Sequence, residues 1–136
     1  MCYPDQCIRG IPNSDFLLGE GDLVDATLFS FHREREDGWA EESINWMDSP
    51  NVVSFTLDQT NEKGEPKFKV GIAIIPRFEL DKIKKRPGFR NLFDYERSPI
   101  EDNPYHGNLL LKVDIETRVK KMARSALALA AQVQMR

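Results

Sequence analysis

Lys67-Phe-Lys-Val-Gly-Ile-Ala-Ile-Ile75 begins by alternating polar and apolar residues and ends as an unbroken apolar run. A strand that passes from a half-buried to a fully buried position in a sheet has this pattern. Gly71 in its interior points to a close backbone approach or a bulge, and Pro76 ends the strand. The period then changes. Leu80 and Ile83 stand three apart with Lys82, Lys84 and Lys85 on the outside, so 78–85 reads as a short helix, stopped by Pro87-Gly88.

Downstream, Phe93-Asp94-Tyr95-Glu96 reads as a short strand inside a loop-rich stretch (89–108), and Leu109 to Val113 as a buried strand. Asp114 to Arg136 reads as a long helix. Asp114 is placed to cap it, Glu116 complements the dipole, and Val119, Met122, Ala123, Ala126, Ala130 and Val133 recur at helical spacing. The small residues from Ser125 to Ala131 suit close packing in a core more readily than a dimer interface.

Upstream, Gln6 to Ile11 reads as a short strand and Pro12 to Asp15 as a turn. Residues 25–32 carry Thr27, Phe29 and Phe31 on one face and read as a strand; Glu42 to Trp46 alternates with Ile44 and Trp46 on one face. With the charged stretch 33–42 between them, these predict a hairpin with a long, solvated tip that exposes Trp39. Residues 52–58 are contested: Ser49-Pro50 is helix-start chemistry, but Val52, Val53, Phe55, Thr56 and Leu57 are strand formers, and the balance leans to strand. The expected architecture is α+β, a mostly antiparallel sheet of about five strands with a long C-terminal helix packed on one face and one or two short helices, in a single globular domain over 1–136.

Composition agrees with that. The chain has 136 residues, 40% apolar and 30% charged, with eight Phe, three Tyr and two Trp for a core. A net charge of −3 argues against a dedicated nucleic-acid binder. Cys2 and Cys7 are too few for a disulfide framework, the N-terminus lacks signal-peptide organisation, and the apolar run Ala126 to Val133 is too short for a membrane span, so a cytoplasmic protein is expected. No P-loop, dinucleotide fingerprint, Gly-x-Ser-x-Gly elbow or His-Glu-x-x-His is present, which disfavours nucleotide-dependent enzymes, common serine hydrolases and zinc proteases.

Chemistry concentrates in 94–108. His106 is the candidate general acid or base, with Glu96 or Asp102 to orient it and Tyr105 beside it; Asp94, Asp102 and Asn103 are candidate binding residues. The plainer reading is an ordered loop bonding to its own backbone. Cys7 with His106 is a further nucleophile–base combination. Cys2, Cys7, His32 and His106 form a two-Cys, two-His inventory whose spacing fits no zinc module, so neither metal nor cofactor is expected. Arg9-Gly10 is similar to the Arg-Gly that opens the nucleotide pocket of ADP-ribosyltransferases, where the Arg holds a phosphate. The resemblance covers two residues; the Ser-Thr-Ser and Glu-x-Glu elements of those enzymes are missing, so the activity is not carried over. Arg9 is instead expected to pair with a carboxylate such as Asp94.

Three functions follow in order of preference. The first is a non-enzymatic protein-interaction or accessory module, contacting an unidentified protein partner through Trp39. The second is a small enzyme centred on His106, with Glu96, Tyr105 and Arg9 or Cys7 in support. The third is a nucleic-acid contact through the basic clusters 82–90 and 118–124, with Phe89, Phe93 or Tyr95 to stack a base.

Overall fold

In the computed structural model, residues 3–136 are described. Of the strand expected over 67–75, the apolar half from Gly71 becomes β6 of an antiparallel sheet, whereas the alternating half, 67–70, is not strand. In chain order the elements are β1 (Gln6–Ile11), β2 (Leu17–Leu18), β3 (Leu23–Val24), β4 (Arg33–Glu34), β5 (Trp39–Trp46), α1 (Asn51–Leu57), β6 (Gly71–Pro76), α2 (Arg77–Lys85), β7 (Phe93–Arg97), β8 (His106–Lys112), α3 (Thr117–Ala130) and β9 (Gln132–Met135). The sheet has the order β7-β8-β5-β1-β6-β9, with β4 alongside β5, while β2 and β3 form a separate two-stranded ribbon. The α+β layout and the long helix near the C-terminus are as expected.

Two local expectations fail because a specific contact overrides strand propensity. Residues 25–32 are not a strand: Asp25 accepts hydrogen bonds from the backbone N–H and hydroxyl of Thr27 at 2.8 and 2.7 Å, starting a 3₁₀ turn over Ala26–Phe29. Adjacent Leu28 and Phe29 are both buried, which a strand with one covered face does not allow. Two residues beyond the turn, Phe31 has a positive φ of 52° and a buried ring. Residues 52–58 are helical rather than extended. Val52 and Thr56, one helical turn apart, are both buried, and the Thr56 hydroxyl donates to the Val52 carbonyl at 2.8 Å while accepting from Asn45 Nδ2 at 2.8 Å.

The C-terminal helix is shorter at both ends than its periodicity implies. Asp114 does not cap it: Ile115 packs on the core first, and the helix starts at Thr117. At the other end Ala131 turns extended, and Gln132 to Met135 pairs with β6. Val133, read as part of the helical stripe, lies in β9. The close approach expected at Gly71 is made here, since a Cβ on residue 71 would collide with the Gln134 carbonyl.

The two faces of the sheet are covered unequally. Cys7, Ile11, Ile44, Trp46, Ala73, Ile75, Leu109 and Leu111 join Leu80 and Ile83 of α2, Ala123, Ala126 and Leu127 of α3 and the 26–31 segment in the main core. On the opposite face Ile8, Val52 and Ile72 make a small cluster under α1, with Leu57, Ile74 and Tyr105 at its border. Among the described residues no helix is long and apolar enough to cross a membrane.

Candidate functional sites

A gap in the sheet positions the first site. β1 pairs with β5 only at Cys7↔Trp46 and Ile8↔Asn45, and β4 pairs with the same edge of β5 at Glu41 and Ala40. Between them, on this edge, Ser43 meets no strand, while its other edge pairs with β8 at Asn108. The Arg9 side chain fills the gap. Its Nη1 donates to the Ser43 carbonyl at 2.7 Å and its Nε to the Leu28 carbonyl at 2.8 Å, while Nη2 lies 3.0 Å from Glu42 Oε2. The other Glu42 oxygen accepts from the Phe31 N–H at 3.0 Å. Burial pulls the Arg9 guanidinium below its ordinary value, and Glu42 opposes that shift. Arg9 therefore pairs with Glu42 and not with Asp94, whose partner is Lys84 at 2.9 Å.

Beside this plug, on the face under α1, lies a cavity of about 300 Å³. Its walls include Arg9, Arg33, Ser43, Asn45, Thr56, Lys67, Asp102, Asn103 and His106. Four residues singled out in the sequence thus converge: Arg9, Asp102, Asn103 and His106. The loop that carries Asp102 and Asn103 and leads into His106 at the start of β8 is anchored by an amide chain, Asn103 Nδ2 donating to Asn45 Oδ1 at 2.7 Å and Tyr105 N–H donating to Asn103 Oδ1 at 3.0 Å. Asn45, Thr56 and Asn103 are all buried, so these bonds satisfy groups that would otherwise be costly to enclose.

His106 is not oriented by a carboxylate. Its Nδ1 lies 2.8 Å from the Ser98 carbonyl, and its Nε2 lies 3.3 Å from Ser43 Oγ. A carbonyl only accepts, so Nδ1 carries a proton, and in the neutral ring the Nε2 lone pair faces the serine. Glu96 is engaged elsewhere, accepting from Arg35 at 2.8 Å and Asn108 at 2.9 Å. Asp102 sits exposed on the rim. Tyr105 packs its ring edgewise against Phe55, centroids 5.2 Å apart. Cys7 is enclosed in the main core, where burial pushes its thiol up and keeps it protonated, and it is not brought to His106. Cys2 lies outside the described residues, and among those described no three His, Cys, Asp or Glu side chains cluster as metal ligands would.

No family model, curated protein or solved structure matches this chain.

A second site lies between α2 and α3, in a groove of about 790 Å³. Phe78, Met122 and Leu129, 61, 51 and 81% exposed, line it around small residues Ser125, Ala126 and Ala130, and Arg86, Arg118 and Lys121 stand along it. The two basic clusters of the sequence thus meet here in part. Their proposed stacking partners do not: Phe89 and Phe93 are buried, and Tyr95 donates its hydroxyl to Asp81 at 2.6 Å beneath Lys84.

Trp39 is not displayed at a long tip. β4 and β5 zip the hairpin down to residues 35–38, and the half-buried indole has Lys112 Nζ 4.4 Å from its ring centroid. Ser43, Asn45 and Thr56 are the site residues that sequence reasoning passed over. The alternation that put Ile44 and Trp46 on one face puts Ser43 and Asn45 on the other, and only tertiary structure covers that face.

Proposed function

We propose that this chain is a protein-interaction module whose docking surface is the groove between α2 and α3, and that its partner presents an acidic, amphipathic helical segment. The observation that carries this reading is the adjacency of Phe78, Met122 and Leu129, all solvent-exposed, to Arg86, Arg118 and Lys121. Exposed apolar side chains grouped in one concavity mark contact surfaces, whereas scattered ones do not. The small residues at the floor leave room for a helix backbone to approach. Charge specifies the partner. Glu79 is tied to Lys82 at 3.6 Å and Arg118 has only Glu116 at 3.9 Å, so the groove is locally cationic on a chain whose net charge is −3. An acidic segment meets complementary potential there, and a basic one does not.

The test is fluorescence anisotropy with a synthetic peptide of roughly 18 residues, Leu and Phe on one helical face and Glu on the other. A scrambled peptide and a single-stranded oligonucleotide serve as comparators. Saturable binding to the amphipathic peptide, weakened about tenfold by Leu129→Glu and again by Lys121→Glu, is expected; each tenfold step is about 1.4 kcal/mol. Both variants alter exposed positions and leave the core intact. Equal binding of the scrambled peptide, or no binding at low salt, removes the reading. Preferential oligonucleotide binding replaces it with the nucleic-acid one.

A further inference from the structure

The gap beside Arg9 holds chemistry that the docking surface does not use. We propose that Ser43 is a nucleophile, that His106 is its general base, and that the pocket transfers the acyl group of small, negatively charged esters or thioesters to water.

The argument starts from the hydrogen bonds of one imidazole. A free serine hydroxyl is a weak nucleophile and needs a base positioned to take its proton; that base in turn must be held in the correct tautomer by a third group. Ser43 Oγ, His106 Nε2 and the Ser98 carbonyl supply these three parts in order, at 3.3 and 2.8 Å. A backbone carbonyl stands where serine enzymes commonly have a carboxylate. It fixes the same tautomer, though it carries no full charge to stabilise the imidazolium. The Ser–His distance is at the long end for a hydrogen bond, as is common before substrate binds.

The backbone on which these groups sit is fixed from several sides. Ser43 lies in the interior of β5, whose partner β8 carries His106, and its carbonyl is held by Arg9. Ser98 is tied back to β8 through its own N–H, donating to the His106 carbonyl at 2.9 Å. Base, nucleophile and orienting carbonyl thus ride on paired backbone, which is what preorganisation requires.

The pocket states the substrate class. A volume of about 300 Å³ is at the small end for ligand sites and admits a short acyl group. Arg9 is spent on Glu42; Arg33, 75% exposed at the mouth, reaches Glu41 at 3.6 Å outside the cavity, so that within the lining Arg33 and Lys67 face one carboxylate, Asp102. An anionic substituent is therefore favoured at the mouth, and, with Asn45 Nδ2 taken up by Thr56, the Gln59 amide stands among the lining groups as a donor for the oxygen that becomes negative.

The reaction balances without any other reagent. Ser43 Oγ bonds to the carbonyl carbon as its proton passes to His106 Nε2. The carbon–oxygen or carbon–sulfur bond of the substrate breaks, and the leaving alcohol or thiol takes that proton. Water then attacks the acyl-serine, giving a proton to Nε2, and Ser43 departs with it. Ester and water become acid and alcohol, with nothing oxidised or reduced.

The experiment treats the full chain with a 4-nitrophenyl ester of a dicarboxylic acid and with a fluorophosphonate, following nitrophenolate release and mapping the adduct by peptide mass spectrometry. Expected are a fluorophosphonate adduct on Ser43, its loss in Ser43→Ala, and turnover reduced at least a hundredfold in His106→Ala with partial rescue by added imidazole. Arg33→Ala with Lys67→Ala is expected to raise KM for the anionic ester several-fold more than for a neutral one. Circular dichroism and urea midpoints separate loss of chemistry from loss of fold; Ser43→Ala removes one oxygen and keeps the Arg9 bond to its backbone. An adduct on lysine or tyrosine alone, labelling of wild type and His106→Ala at the same rate, or no adduct at all overturns the proposal. The groove between α2 and α3 contains neither Ser43 nor His106, so peptide binding and esterase activity succeed or fail separately.

Discussion

On the face of the sheet covered by α2 and α3, Ile44, Trp46, Leu109 and Leu111 close against Leu80, Ile83, Ala123 and Leu127, and the polar exception is the Arg9–Glu42 pair at the seam. On the face covered by α1, Ile8, Val52 and Ile72 supply the buried apolar cluster, and Ser43, Asn45, Thr56, Asn103 and His106 supply much of the rest. The first face specifies the fold by packing; the second is held by hydrogen bonds whose directions fix individual atoms. A cavity of useful chemistry can exist only on the second, because close packing leaves no room on the first.

The sharpest way to break that contrast is to truncate one residue on each side. Leu127→Ala is expected to cost about 3 kcal/mol, within the usual range for a buried leucine whose surroundings cannot collapse. Val52→Ala is expected to cost about 1.6 kcal/mol, the transfer value of two methylene equivalents, since its cluster borders an open cavity. Urea unfolding of both variants measures this. Equal costs would show that the α1 face is packed as tightly as the other.

The seam between the faces gives the next effect. Glu42 is 8% exposed, and removing its cation strands a nearly buried carboxylate. Arg9→Met is expected to lose about 2–3 kcal/mol, somewhat below the usual cost for a fully buried pair because the Arg9 side chain is 22% exposed. Adding Glu42→Gln keeps an oxygen for the Phe31 N–H and should restore at least half of the loss, again read from urea midpoints. If Arg9→Met costs less than 1 kcal/mol, the guanidinium is not what closes the gap at Ser43.

Legibility in the sequence followed the same contrast between packing and directed hydrogen bonds. On the α3 face, β6, α2 and most of α3 were readable because apolar spacing is a direct record of burial: Leu80 and Ile83 point inward as their period requires. Where a side chain overrode the spacing, reading failed. Asp25 capping Thr27 turned an alternating stretch into a 3₁₀ turn, and Thr56 bonding to Val52 and Asn45 made a helix of β-branched residues. For the sites, Arg9, Asp102, Asn103 and His106 were readable as residue types and do converge, but their partners were not. Ser43 is a lone serine opposite the apolar face of its strand. Its place opposite Nε2 depends on strand register between β5 and β8, where Asn45 pairs with His106, and on a break in the β1–β5 ladder that leaves no mark in composition. Phe78, Met122 and Leu129 were legible as apolar, but their exposure depends on where α2 and α3 come to rest.

The smallest effect tests whether the apolar face keeps its few polar groups neutral. The Tyr95 hydroxyl donates to Asp81 at 2.6 Å, and burial together with that carboxylate pushes its pKa up from 10 to about 12. In the unfolded chain the phenol ionises near 10. Between the two values the folded protein holds a proton that the unfolded chain has lost, so this contribution is fully present below pH 10 and is lost as pH rises through about 12. The full difference corresponds to about 2.7 kcal/mol; solvent reaches the half-buried hydroxyl, and screening leaves on the order of 1 kcal/mol. Tyr95→Phe removes the effect along with the hydrogen bond. Urea midpoints for wild type and Tyr95→Phe at pH 7, 9, 10.5 and 11.5 should therefore start about 1 kcal/mol apart and converge above pH 10, because the wild type alone loses this term. Parallel curves across that range would mean that Tyr95 ionises alike in both states, and that Asp81 meets a phenol no more enclosed than one in water.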